Sequence, residues 1–81
     1  TYGEASTHVA NTLNNLAILE LQAGKLDLAR DHHRRALGIR RAILAPEHPD
    51  VAESLHNLGE AERRLRRYAE ARPVTEEAWR I

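Results

Sequence analysis

The sequence predicts an all-α protein, four helices in two antiparallel hairpins that stack as a short α-solenoid. Three observations carry this. The chain nearly repeats itself at a spacing of 42 residues, with Val9, Ala10, Leu13, Asn15 and Leu16 recurring as Val51, Ala52, Leu55, Asn57 and Leu58. Glu20, Ala29, Arg30, Ala36 and Ile39 recur in the same register as Glu62, Ala71, Arg72, Ala78 and Ile81. The shared positions are mostly small and apolar, as expected of a two-helix unit that packs on its own copy. Gly and Pro are sparse while Ala, Leu, Arg and Glu abound, which is a helical composition. Finally, apolar residues recur at helical spacing between clear breakers.

The first helix is predicted over residues 7–23. Ser6 or Thr7 offers a hydroxyl as N-cap, and Val9, Leu13, Leu16 and Ala17 form the apolar stripe. Gly24 ends it, because a helix terminus favours a left-handed residue. The second helix is predicted over 26–44, with Leu28, Ala29, Ala36, Ile39 and Ile43 as candidates for burial. Pro46 and Pro49 then interrupt any helix, and Pro49 suits the first turn of the next, where its missing N–H costs nothing. Asp50 and Glu53 complement the positive end of that third helix, which runs to about residue 65 through Val51, Leu55 and Leu58. The fourth is predicted from 68 to the chain end through Ala71, Val74, Ala78 and Trp79. Pro73 predicts an irregular first turn there. Short links at Gly24-Lys25 and Arg66-Arg67 imply antiparallel hairpins.

Composition narrows the function. A chain of 81 residues holds at most one small domain, and its formal charge is balanced, so no overall field favours nucleic acid or an anionic membrane. The absence of cysteine excludes disulfides and thiolate chemistry and fits a reducing, cytoplasmic setting. No apolar run is long enough to span a membrane. With no methionine in the chain, Thr1 does not read as a translation start, and a segment of a longer protein is expected.

At this point the motifs resemble a family. Leu-Asn-Asn-Leu-Ala at 13–17, Gly-Lys-Leu at 24–26, Arg-Arg-Ala-Leu-Gly-Ile at 34–39 and Pro-Glu-His-Pro-Asp-Val-Ala at 46–52 closely resemble tetratricopeptide repeats. The longer variant, typified by kinesin light chain, matches best. Tyr-Ala-Glu-Ala-Arg-Pro at 68–73 is similar to a frequent form of its second helix. The resemblance implies one repeat over 7–47 and a second, cut short at its end, over 48–81. Glu20 and Glu62 depart from the family's usual tyrosine, and His33 and Thr75 from another aromatic site, which predicts weaker packing between repeats.

The resemblance also implies a function. In this family the first helix of each hairpin lines a concave groove that holds a peptide or partner protein. By motif position, Asn11, Asn14, Asn15, Ile18 and Gln22 would face the groove from the first helix, and Glu53, His56, Asn57, Glu60 and Arg64 from the third. Asn15 and Asn57 stand out, because an amide can both donate to and accept from a peptide backbone. The competing role for each amide is to tie neighbouring helices together.

Other chemistries are poorly supported. Arg34, Arg35, Arg40, Arg41 and Arg63, Arg64, Arg66, Arg67 suggest nucleic acid, but Asp31, Glu60 and Glu62 precede arginines by four as surface ion pairs would. No aromatic residues interleave to stack bases. His32 and His33 are adjacent and point about 100° apart on a helix, so they do not chelate a metal. His33 is expected to fill an aromatic slot instead. Ser54 and His56 face different sides of a helix and make no nucleophile pair. No phosphate loop, metal or cofactor site is expected, and no enzyme. The leading expectation is therefore a non-catalytic module for a protein or peptide. The runner-up is a structural solenoid segment that self-associates, by end-to-end stacking or helix exchange.

Overall fold

The computed structural model describes residues 7–66 and 68–80, and the side chains among them other than those of 68–71. Four helices follow in order, α1 (Thr7–Gln22), α2 (Leu26–Ile43), α3 (Pro49–Arg64) and α4 (Tyr68–Arg80), with no strand among the described residues. Each lies within a residue or two of its predicted bounds. α1 packs along α2 and α3 along α4, giving two hairpins, and α2 packs against α3 to join them. α1 touches α3 only lightly.

The two hairpin turns share one backbone device. Gly24, at φ 80°, closes α1: its N–H donates to the Leu21 carbonyl at 3.1 Å, and the Lys25 N–H to that of Glu20 at 2.8 Å. These two bonds satisfy carbonyls that a helix end leaves open. Forty-two residues on, Arg66 takes the same left-handed conformation at φ 63°, and its N–H donates to the Arg63 carbonyl at 2.9 Å. A side chain there is uncommon, so the second turn keeps the geometry of the first without its glycine.

α3 starts as its proline predicts, with Pro49 in the first turn. Its cap comes from His48, whose Nδ1 accepts the Asp50 N–H at 3.0 Å. At α1, Ser6 lies outside the described residues and Thr7 is already helical. α4 runs through Pro73 without a break and is helical from Tyr68, so the predicted irregular first turn is not found. The missing Pro73 N–H would pair near the helix start, and one absent bond does not interrupt the element.

The core sits at the junction of the hairpins. Leu37 of α2 packs with Val51, Leu55 and Leu58 of α3, and Leu44, Val74 and Ala78 close around them. Within the first hairpin, buried Ala10, Leu13, Ala17, Ala29 and Ala36 let α1 and α2 approach closely. Several expected core residues are exposed instead. Leu16 is 41 % exposed, and Leu28, Ile43 and Trp79 also face outward. The helical period placed Leu16 beside Leu13, but Asn14 and Ala17 occupy the inner face and Leu16 lies on the flank. Trp79, at the far end of α4, is 85 % exposed. The side chain of Ala71 lies outside the described set.

Candidate functional site

Where the hairpins meet, polar groups are buried as deeply as the leucines. Arg40 of α2 is only 3 % exposed, contrary to its expected place on a solvated face. Its Nη1 donates to the Asp50 carbonyl at 3.0 Å, to Glu53 Oε1 at 3.0 Å and to Ser54 Oγ at 2.8 Å. Nη2 donates to Asn11 Oδ1 at 3.0 Å. Two hydrogens on Nη1 are shared among three acceptors, and one guanidinium ties α1, α2 and α3 together. Arg40 stands four residues after Ala36 and eleven after Ala29, on the buried stripe of α2, whereas Arg34, Arg35 and Arg41 lie off it. Its acceptor Ser54 likewise stands on the buried stripe of α3 with Val51, Leu55 and Leu58.

Asn14, also buried, accepts from Asn57 Nδ2 at 3.0 Å, linking α1 to α3. The asparagine seam and the Arg40 clamp set the two first helices side by side. Around them Asn11, Asn15, Ile18 and Gln22 follow at i, i+4, i+7 and i+11 and form one exposed face of α1. On α3, Asn57, Glu60 and Arg64 continue the surface. Glu60 is bonded to Arg63 at 2.6 Å and to Arg64 at 2.9 Å, which holds its carboxyl below the usual range. Glu53, bonded to Arg40, and the exposed His56 lie at the edge of this surface. With Ala52 they line a separate groove of about 640 Å³, closed on its far side by Thr75, Ala78 and Trp79 of α4.

Asn57 and Asn15 differ in what they have left to offer. Asn57 commits one N–H to Asn14 and is half-buried, whereas the Asn15 amide is exposed. Several other charged groups are drawn into pairs. Arg34 meets buried Glu62 at 3.5 Å across the repeat boundary, and Arg41 pairs with Glu77 of α4. Glu60–Arg64 forms as expected, but Asp31 is bonded to its neighbour Arg30 rather than standing free for Arg35. Glu20, at the place of the missing tyrosine, lies 2.6 Å from His32 Nδ1.

His33 fills its slot completely, at 1 % exposure, with no hydrogen-bond partner on either ring nitrogen. Burial, and then the neighbouring Arg40 charge, lower its pKa to about 4, against the opposing pull of Glu20 and Glu53. It is therefore a neutral ring at ordinary pH. Among the described residues no group of His, Cys, Asp or Glu is arranged to hold a metal ion. No described helix is long and apolar enough to cross a membrane.

Two stacked helical hairpins, small residues at the helix crossings and a 42-residue register together define a helical-repeat scaffold. A profile for the tetratricopeptide repeat matches residues 8–81, and the chain belongs to that family. No curated protein matches the chain in a sequence search. Members of this family mediate protein–protein interactions and are typically non-catalytic.

Proposed function

We propose that this chain holds an extended peptide, or an extended segment of a partner protein, along the α1/α3 face. The observation that carries the reading is the exposed Asn15 amide, seated beside the Asn14–Asn57 seam where two first helices run together. A free amide between two helices can donate to and accept from a peptide backbone whatever its side chains. Asn11, Ile18 and Gln22 flank it on α1, and Asn57, Glu60 and Arg64 on α3, supplying mixed polar and apolar contacts. Asn14 supports the site from beneath, and Glu53 and His56 border it. The 42-residue register, with repeats over 7–47 and 48–81, supports the longer, kinesin-light-chain-like variant.

Selection of a displayed random peptide library on the 81-residue chain tests this. Enriched peptides should lose about 1–2 kcal/mol of affinity for Asn15→Ala, roughly five- to thirtyfold by calorimetry. The same variant should melt within a degree or two of the parent, because the side chain is exposed. Asn57→Ala should weaken binding and stability together, since it strands the buried Asn14 carbonyl oxygen. Peptides that bind Asn15→Ala unchanged would overturn the assignment.

A further inference from the structure

The groove around Trp79 was not anticipated, and its register is informative. Subtracting 42 from Ala52, His56, Thr75, Ala78 and Trp79 gives Ala10, Asn14, His33, Ala36 and Leu37, all of them buried, while the remaining lining residues Pro49, Glu53 and Arg63 map onto Thr7, Asn11 and Leu21, which are not. Leu37 is covered by Val51, Leu55 and Leu58 of α3, and Asn14 is bonded to Asn57 of the same helix. The open groove is thus the second repeat's copy of the face on which the first repeat receives α3. A helix with the inward pattern of α3 matches it.

This chain displays such a helix at its other end. On α3, Ser54, Leu58 and Ala61 are buried. Their counterparts on α1 are Thr12, Leu16 and Leu19, at i, i+4 and i+7 on one face, and Leu16 and Leu19 are 41 % and 63 % exposed. We propose that the chain associates with itself head to tail, the α3–α4 groove of one copy receiving the Thr12/Leu16/Leu19 face of the next. The internal α2–α3 interface is the template, so the join continues the stack in the same direction.

Side chains in the groove have changed size in opposite senses. Thr75 is smaller than His33 and Trp79 is larger than Leu37, and Arg63, which donates to Thr75 Oγ1 at 3.0 Å, also lines the groove. At the rim, His56 and Asn15 of the next copy take the places of Asn14 and Asn57. Two features are not reproduced. The Arg40 clamp has no counterpart, because its register position, 82, lies outside the 81 residues. Glu76 stands where Arg34 meets Glu62, and it would face Glu20 of the next copy. Two like charges there make the contact weaker than the internal one and predict that salt tightens it.

A contact between two different faces does not close on itself, so it builds chains rather than a two-fold dimer. In sedimentation velocity from micromolar to millimolar, the 81-residue chain should grow past the dimer, with Trp79 emission shifting to shorter wavelength in step. Trp79→Glu blocks the groove and Leu16→Glu/Leu19→Glu blocks the helix face, so each variant alone should remain a monomer. Mixed in equal amounts they should form a one-to-one dimer and stop, because one intact face of each kind remains. All three side chains are exposed, and circular dichroism checks that helicity is kept. Leu19→Glu alone serves if the double variant loses it. A parent chain that stays monomeric throughout overturns the proposal. So does a mixture that forms no dimer, or either blocked variant that associates by itself through groove-to-groove contact or helix exchange.

Discussion

Arg40 stands on the buried stripe of its helix, and what reaches it there decides its role. Its side chain is buried, yet its charge has a carboxylate at 3.0 Å and its donors meet acceptors on two other helices. Removing it leaves Ser54 Oγ and the Asp50 carbonyl without their donor in a place water does not easily reach. Arg40→Met keeps most of the buried stem and deletes only the charged head. It should cost about 2–4 kcal/mol in urea unfolding, the combined penalty of stranded polar groups. Arg40→Lys should recover part of this, because one ammonium cannot reach acceptors on both sides. A loss under 1 kcal/mol for Arg40→Met would show that the clamp contributes little. Arg41, next in the same run, pairs with Glu77 on an exposed surface, where such a pair is worth at most about 1 kcal/mol. Position on the helix separates the two kinds, since Arg40 lies on the stripe of Ala29 and Ala36 and Arg41 lies off it.

At the scale of the element, agreement with the sequence is closest where backbone chemistry decides. Gly24 and Pro49 act within one turn of themselves, and both did what their covalent structure requires. The hairpin turns make a matched pair of experiments. No atom lies within 4 Å of a Cβ added at Gly24, so Gly24→Ala is penalised by its left-handed φ alone. It should lose about 1 kcal/mol. Arg66→Gly relieves the same conformation in the second turn but adds freedom to the unfolded chain, so it should gain up to about 1 kcal/mol. Opposite signs in thermal melts of the two variants would bear out a shared turn. Matching destabilisation would mean that the Arg66 side chain holds the second link in place. Burial within each element was less legible. α1 carries apolar residues nearly all round, so periodicity alone could not choose Ala17 over Leu16 as the inner residue.

For the whole molecule, pH reports on the buried junction. His33 of α2 has Arg40 and His32 of its own helix, Glu20 of α1 and Glu53 of α3 as charged or titratable neighbours. Its folded pKa of about 4 lies below the 6.5 of an exposed histidine. As pH falls below about 6.5 the unfolded chain takes up a proton that the folded chain refuses. Stability contributed by the neutral ring is full above that pH and is lost progressively down to about pH 4. The loss should be on the order of 2–3 kcal/mol. Urea melts over a series of pH values test it, with His33→Phe expected to flatten the profile in that window. Glu60, whose carboxyl is held low by Arg63 and Arg64, adds its own loss only further into acid. A parent profile parallel to that of His33→Phe would place the pH dependence elsewhere.

The sequence by itself determined the helices, their turns and the repeat that stacks them. Those features follow from backbone restrictions and from a periodicity that each segment carries within itself. The small residues at the crossings were readable for the same reason, since identical spacing implies identical packing. His33 was expected in its aromatic slot and is found there. Tertiary structure alone decided the partners of the other buried polar residues: Arg40, Ser54, Asn14 and Glu62 meet acceptors or donors on another helix, ten to more than forty residues away. It also decided that Trp79 and Leu16 stand exposed, because the surface that covers their counterparts belongs to a neighbouring repeat, and a residue's own helix cannot say whether that neighbour is there.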